Sequence, residues 1–233
     1  MHASAHIEAV HPTTITRRAE TAAGAETAAG SADPLGQSMS LMGATMVYPR
    51  NTEIFGENEA ADYFYKVISG SVRTYKILSD GRRQVGGFYL PGDVFGLEFA
   101  DEHTLSAEAI SDTKVLVVKR SILTALAGRD ASVAKQLFTL TGRELCRAQD
   151  RMLLLVKSAQ ERVASFLLEM AERVSDNSIE LPMSRQDIAD YIGLTIETVS
   201  RTLTSLECAA AIEVPTSRHI VLRNRSALSR MNG

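Results

Sequence analysis

Glu197, Ser200, Arg201 and Thr204 fall at i, i+3, i+4 and i+7, the spacing that brings four side chains onto one face of a helix. Such a face can read base-pair edges: a guanidinium forks onto guanine O6 and N7, a carboxylate accepts from cytosine N4, and a hydroxyl serves in either role. The same spacing also suits a solvated Glu197–Arg201 pair, worth roughly a few tenths of a kcal/mol. The preceding residues favour the first reading. Ile196, Val199, Leu203 and Leu206 supply an opposite apolar stripe, and Thr195 caps the helix. Before it, Ser184 and Asp187 form a capping-box-like start, Ile188, Ala189 and Ile192 give a short apolar face, and Gly193 stands where a helix ends left-handed. Two helices joined by so short a turn make a helix-turn-helix. Glu197, Ser200 and Arg201 are then the expected base contacts. Ser184, Thr195, Ile196, Thr198 and Thr204 are expected at or near the phosphate backbone, Ser184 being also explained as a cap.

The run Thr195-Ile196-Glu197-Thr198-Val199-Ser200-Arg201 resembles the recognition helix of the CRP/FNR superfamily of bacterial transcription regulators, and Glu197 with Ser200-Arg201 resembles its FNR/FixK side. That resemblance implies a homodimer on double-stranded DNA, with TTG in one half-site and CAA in the other. In it Arg201 reads the guanine, Glu197 accepts from the paired cytosine, and Ser200 acts at a neighbouring thymine or phosphate. It also implies recruitment of RNA polymerase, mostly to activate genes of low-oxygen respiration, denitrification and nitrogen fixation.

The elements that must carry this motif give an α+β chain. Residues 1–38 read as a disordered tail, since Ala19-Glu20-Thr21-Ala22-Ala23-Gly24 recurs as residues 25–30 and large apolar side chains are scarce. His2, His6 and His11 are scattered in it and read as solvated. From 39 to 129, short apolar runs alternate with turn signals at Ser69-Gly70, Ser79-Asp80-Gly81 and Pro91-Gly92-Asp93, as in an antiparallel barrel or jelly roll. The segments 67–72 and 91–96 resemble the β-roll sensor domain of the same superfamily. Relatives that bind cAMP use an arginine-serine pair and a glutamate, which align here with Leu105-Ser106 and Leu97, next to Glu98. A leucine cannot balance a phosphate. The FNR side of the superfamily holds an iron–sulfur cluster with cysteines mostly near the N-terminus, but here no cysteine precedes Cys146, and such a cluster usually needs four thiolates. A lone His103 among loop residues reads as exposed rather than as a haem ligand, and it gives a cupin-type enzyme too few metal ligands. No cofactor is therefore expected, and the alternative is a ligand- or redox-gated sensor whose effector the sequence does not identify.

Residues 130–157 read as a dimerisation helix, with Ala134, Phe138, Thr141, Leu145, Ala148, Met152 and Leu155 at alternating steps of four and three. Leu137, Leu140, Leu153 and Leu154 suggest a second buried face toward the roll. Residues 158–233 complete a winged helix-turn-helix, with a helix from about 159 to 174 as its base and β-prone runs at 211–214 and 220–222 around Arg218 at the wing tip, where it either meets a phosphate or is a solvated loop arginine. The net charge is −3, but from Val214 onward there are Arg218, Arg223, Arg225 and Arg230 and no acid, which concentrates positive charge near the reading head. Cys208 follows the reading helix and is a candidate redox site. No apolar run reaches the ~20 residues of a membrane span and no signal segment is visible, so the expected address is cytoplasmic.

Overall fold

The computed structural model describes residues 33–231 except Phe99 and Leu155. The repeat and the three early histidines lie outside the described residues. The last positions assigned to the tail are helical: α1 (Pro34–Met42) is capped by Asp33, whose carboxylate accepts from Gly36 N, and Pro34 sits in its first turn. Leu35 and Met39, one turn apart, are buried. Lys66 and Gln136 both hold Asp33, at 2.8 and 2.7 Å.

Strands β1 (Ala44–Tyr48), β2 (Glu53–Phe55), β3 (Tyr63–Ser69), β4 (Val72–Ile77), β5 (Arg83–Tyr89), β6 (Val94–Phe95), β7 (Ser106–Ala109) and β8 (Thr113–Lys119) make two four-stranded antiparallel sheets, ordered β1-β8-β3-β6 and β2-β7-β4-β5. Between them Phe55, Tyr65, Val67, Val72, Phe95, Ala107 and Val115 form one apolar cluster, the two inner faces of a roll. The β3–β4 reversal needs Gly70: its φ is +83°, and a Cβ there would lie 2.4 Å from Asp112 O.

Helix α2 (Arg120–Ala127) leads into α3 (Ala131–Leu154), which runs through Gly142 without a break. Val133, Leu137 and Leu140 of α3 join a second cluster with Leu35, Met39, Phe64, Val94 and Leu116. This is the anticipated face toward the roll. Leu154 packs instead on the C-terminal core, and Leu153 is exposed.

Helix α4 (Ala159–Val174) starts at a capping box of Ser158 and Glu161 and buries Val163, Phe166, Leu167 and Met170. After it come β9 (Ser178–Glu180), α5 (Arg185–Ile192), α6 (Ile196–Cys208), β10 (Ile212–Glu213), β11 (His219–Leu222) and α7 (Arg225–Met231). The wing is a three-stranded sheet, β10-β11-β9, with the third strand coming from ahead of the helix-turn-helix. The C-terminal core also takes in Val85, Phe88 and Ile110 from the roll. Roll and winged domain thus share apolar packing, centred on Phe88 with Tyr191 at 5.1 Å and Phe166 at 6.3 Å. No helix among the described residues is long and apolar enough to cross a membrane.

Candidate nucleic-acid interface

The turn between α5 and α6 is three residues, Gly193, Leu194 and Thr195. Gly193 is left-handed, at φ +67°, and the amides of Gly193 and Leu194 both return to Ala189 O, the αL termination the sequence suggests. Arg162 of α4 closes the same helix end, donating to Ile192 O and Gly193 O at 3.1 and 3.2 Å. Thr195 accepts from Thr198 N at 3.2 Å and so starts α6. Val199, Leu203 and Leu206 are buried beneath. With that stripe anchored, the opposite face points outward by the helical period.

Glu197, Arg201 and Thr204 are exposed and Ser200 is half-buried, all on that outer face. Arg201 turns back to Thr198 Oγ1 at 3.4 Å, and no ion pair joins it to Glu197. The solvated i,i+4 pair is therefore not what occupies these side chains. The Glu197 carboxyl lies below its usual range, held there by its own backbone amide, the Thr195 hydroxyl and the field of Arg201. It is an acceptor at neutral pH. Thr204 donates to Ser200 O at 3.1 Å, and Ile196 is half-buried. Ser184 is engaged in its cap: its Oγ accepts from Asp187 N at 3.1 Å and donates to Asp187 Oδ2 at 2.7 Å.

Arg185 completes the surface and was not singled out from sequence. It is the first residue of α5, and its Nη1 lies 3.4 Å from Ser200 Oγ. Its position directly after the cap residue was the available signal. Arg218 is exposed on the wing, with Nη1 on Pro182 O at 3.1 Å, which steadies the wing against the loop ahead of α5.

The C-terminal positive charge is smaller than the sequence suggests. Glu213 of β10 is ion-paired with Arg223, just past the end of β11, and Glu172 of α4 lies 3.5 Å from Arg225. Two of the four arginines are thereby partly neutralised by acids from elsewhere in the chain.

In the roll, the residues aligned with a cyclic-phosphate site are otherwise employed. Leu105 lies over the backbone of Gly86, its Cδ1 2.5 Å from where a Cβ would stand. Leu97 packs on the apolar cluster beside α3. Ser106 Oγ accepts from Glu57 N at 2.9 Å. This set does not fit a cyclic phosphate, which needs a cation at the Leu105 position. His103 corrects its expected exposure: it is 1% exposed and stacked on Phe55 at 3.6 Å, because Asn58 N→His103 O and His103 N→Glu59 O fold the loop onto β2. Among the described residues no three His, Cys, Asp or Glu are placed to hold a metal. Cys146 and Cys208 are both exposed, and Cys208 is the last residue of α6.

On α3, Phe138, Leu145 and Met152 are 80%, 60% and 65% exposed. Ala148 is exposed and Thr141 half-buried on the same seam, while Leu155 lies outside the described residues.

Comparison with known proteins agrees with this arrangement. A Crp-like helix-turn-helix domain matches residues 161–231, and a cyclic nucleotide-binding domain matches residues 45–130. The nitrogen fixation regulation protein FixK of Azorhizobium caulinodans is 48% identical over 229 residues, 95% of this chain and 92% of its own. FixK of Bradyrhizobium diazoefficiens is 41% identical over 74% of this chain and 76% of its own. The structure of FixK2 from Bradyrhizobium japonicum matches with a TM-score of 0.79 at 52% identity, covering 82% of this chain and 98% of that one.

Proposed function

Because the chain belongs to the CRP/FNR superfamily, in its FixK group, and is therefore a DNA-binding transcription regulator rather than an enzyme, we propose that it acts as a homodimer on an inverted repeat of TTG and CAA half-sites. The observation that carries this reading is the outward face of α6, where Glu197, Ser200 and Arg201 stand together above a buried stripe with no ion pair between acid and base. Arg201 forks onto the guanine, Glu197 accepts from the paired cytosine, and Ser200 meets a neighbouring thymine or phosphate. Thr195, Thr198, Thr204, Arg185 and Arg218 lie around them as backbone contacts.

The dimer reading rests on α3. Three large apolar side chains seven residues apart, each mostly exposed, make the seam that a second copy of the helix covers. Two-fold symmetry then puts the two α6 helices in successive major grooves, about 34–36 Å apart. With Leu105 and Leu97 where a phosphate cation and a ribose carboxylate would be needed, DNA binding proceeds without a cyclic nucleotide. Control falls on the protein's synthesis, turnover or modification. Bound at a promoter in the cytoplasm, the dimer recruits RNA polymerase to genes of low-oxygen metabolism and nitrogen fixation.

The test is a titration of untreated purified protein against a TTG/CAA inverted repeat and a scrambled duplex at one physiological salt concentration. Selective binding, roughly 10³-fold or more over the scrambled duplex, is expected. Equal binding, or selectivity that arises only on adding a ligand, overturns the coactivator-free reading.

A further inference from the structure

The winged domain follows α3 after a short connection, and it is held to the roll by a cluster of charged side chains that the DNA-reading face does not use. Arg73 of β4 is only 9% exposed and lies at the centre. Its Nη1 is 2.8 Å from Asp187 Oδ1, and its Nη2 is 2.9 Å from Glu108 Oε2 on β7. Arg83 of β5 places Nη2 2.6 Å from the same Asp187 oxygen and Nε 2.8 Å from Asp190 Oδ2. Beside it Gln84 Nε2 donates to Asp190 O at 2.7 Å. All the acceptors except Glu108 belong to α5, the first helix of the helix-turn-helix.

Asp187 does two jobs with two oxygens. Oδ2 accepts from Ser184 N and Ser184 Oγ, at 2.9 and 2.7 Å, closing the cap of α5, while Oδ1 takes both arginines. The start of α5 is thus hydrogen-bonded to the β4–β5 hairpin from two sides. Since α5 leads into α6 through a rigid three-residue turn, fixing α5 fixes the reading helix. On the opposite flank of the hairpin, Arg173 of α4 donates to Phe88 O at 2.9 Å.

A pair of charges alone would give direction without rigidity. Here the guanidinium planes supply several directed hydrogen bonds at once, and the shared apolar core around Phe88 excludes the sliding motion that a purely polar contact allows. In a two-fold dimer the separation of the two α6 helices is the sum of two such docking poses on either side of the α3 seam. An angular error in each pose enters twice.

We infer that Arg73 and Arg83, acting through Asp187 and Asp190, are positioning residues that set the half-site spacing the dimer accepts, separately from the residues that read bases. This rests on the dimeric DNA-binding reading above. Loosening the pose leaves Glu197 and Arg201 able to recognise their bases, but lets the two heads adapt to spacings the native dimer rejects. Bivalent binding is strongest when the span matches the sites and falls when geometry forbids both contacts.

Arg83→Gln is the first variant, because its side chain is partly solvated and lies outside the apolar core. Full-length protein is titrated against the repeat at native spacing, with one base pair added or removed, and with the guanine of each half-site changed. Native protein is expected to lose roughly 30-fold or more on altered spacing; R83Q is expected to bind the native spacing about tenfold more weakly, lose only a few-fold on altered spacing, and keep the full penalty for the changed guanine. Arg83→Lys, which keeps a cation between Asp187 and Asp190 but loses the fork, is expected to recover part of the spacing discrimination. A spacing penalty in R83Q equal to that of native protein overturns the assignment, as does a penalty in R83K no larger than that in R83Q in a folded dimer.

A second measurement reads the pose without any DNA, so that a wrong half-site cannot be mistaken for a wrong clamp. Spin labels are placed on Cys208 at the end of α6 and at Lys114→Cys on β8, both exposed, in a Cys146→Ser background diluted with unlabelled subunits. The intrachain distance distribution should be narrow in native protein, broaden in R83Q and lie between the two in R83K. An unchanged distribution in R83Q overturns the proposal even if operator selectivity holds. A narrow-to-broad change beside native protein that ignores TTG/CAA retains the clamp and overturns the half-site.

Discussion

In the proposed reading base recognition turns on Arg201, whose guanidinium is exposed, carries no ion pair to Glu197 and leans on Thr198 Oγ1. Truncating it to alanine should cost ~1–3 kcal/mol per half-site and abolish discrimination at the guanine it contacts. Lysine in its place should recover part of the affinity but not the discrimination, since a point charge lacks the fork. Operator titrations against native and guanine-substituted duplexes check both. Arg218 predicts the opposite pattern. With one nitrogen already on Pro182 O, it is placed for a phosphate, so Arg218→Ala should weaken specific and scrambled duplexes alike and reduce the salt slope of binding by about one; a salt titration that leaves the slope unchanged removes Arg218 from the interface. That Glu197, Ser200, Arg201 and Thr204 share one outward face was legible, because helical spacing alone collects them. One residue reading failed for want of tertiary information, and one held but was incomplete. His103 looked like a loop histidine and is stacked under Phe55, and Asp187 looked like an ordinary cap residue although Arg73 and Arg83, more than a hundred positions earlier, converge on it.

At the scale of elements, Asp187 makes the stability of α5 depend on pH. Burial alone would raise its carboxyl, but the Ser184 hydroxyl and amide, with Arg73 and Arg83, outweigh that and hold it below the usual carboxylate value. A depressed carboxyl stabilises the fold above its unfolded pKa of about 4 and loses that contribution as the pH falls through the lower folded value. Asp187→Asn should therefore cost on the order of 3 kcal/mol at neutral pH, where it leaves two arginines short of a partner. The gap from native protein should shrink below about pH 4, where the native carboxyl also gains its proton. Denaturant melts at several pH values would show it, and a gap that stays constant into acid would mean the charge is not the source. Elements with their own signals were readable: α3 by its three-four repeat, α6 by cap and stripe, β5 and β8 by apolar runs. Others exist only through partners. β7, Ser-Ala-Glu-Ala, is a strand because β2 and β4 pair with it on both sides, and β9 because β11 does. For α1, the signal was Asp33-Pro34 with Leu35 and Met39 one turn apart, inside a composition that otherwise reads as unstructured.

For the whole molecule, charge and symmetry bear on one another. The chain carries a net charge of −3, and Glu213 and Glu172 offset two of the arginines near the winged domain. The winged domain, residues 158–233, holds eight arginines against ten acids, so a single reading head has little phosphate attraction to draw on. In the proposed dimer useful affinity comes from two heads engaging together, and the α3 seam is then as necessary to DNA binding as Arg201. Phe138 and Leu145 are 80% and 60% exposed in the single chain, so replacing either with glutamate removes little packing within the protomer. In a two-fold dimer the same change sets like charges across the axis in an apolar seam. Phe138→Glu and Leu145→Glu should therefore leave the circular dichroism spectrum of the chain intact, sediment as monomer, and lower operator affinity by about 10²–10⁴-fold, the share that bivalency contributes. Thr139→Glu, exposed on α3 but off the seam, should change neither the mass nor the affinity. A seam variant that remains dimeric with native affinity would place the dimer contact elsewhere; one that becomes monomeric yet keeps native affinity would show that one head suffices, and with it would go the requirement for an inverted repeat.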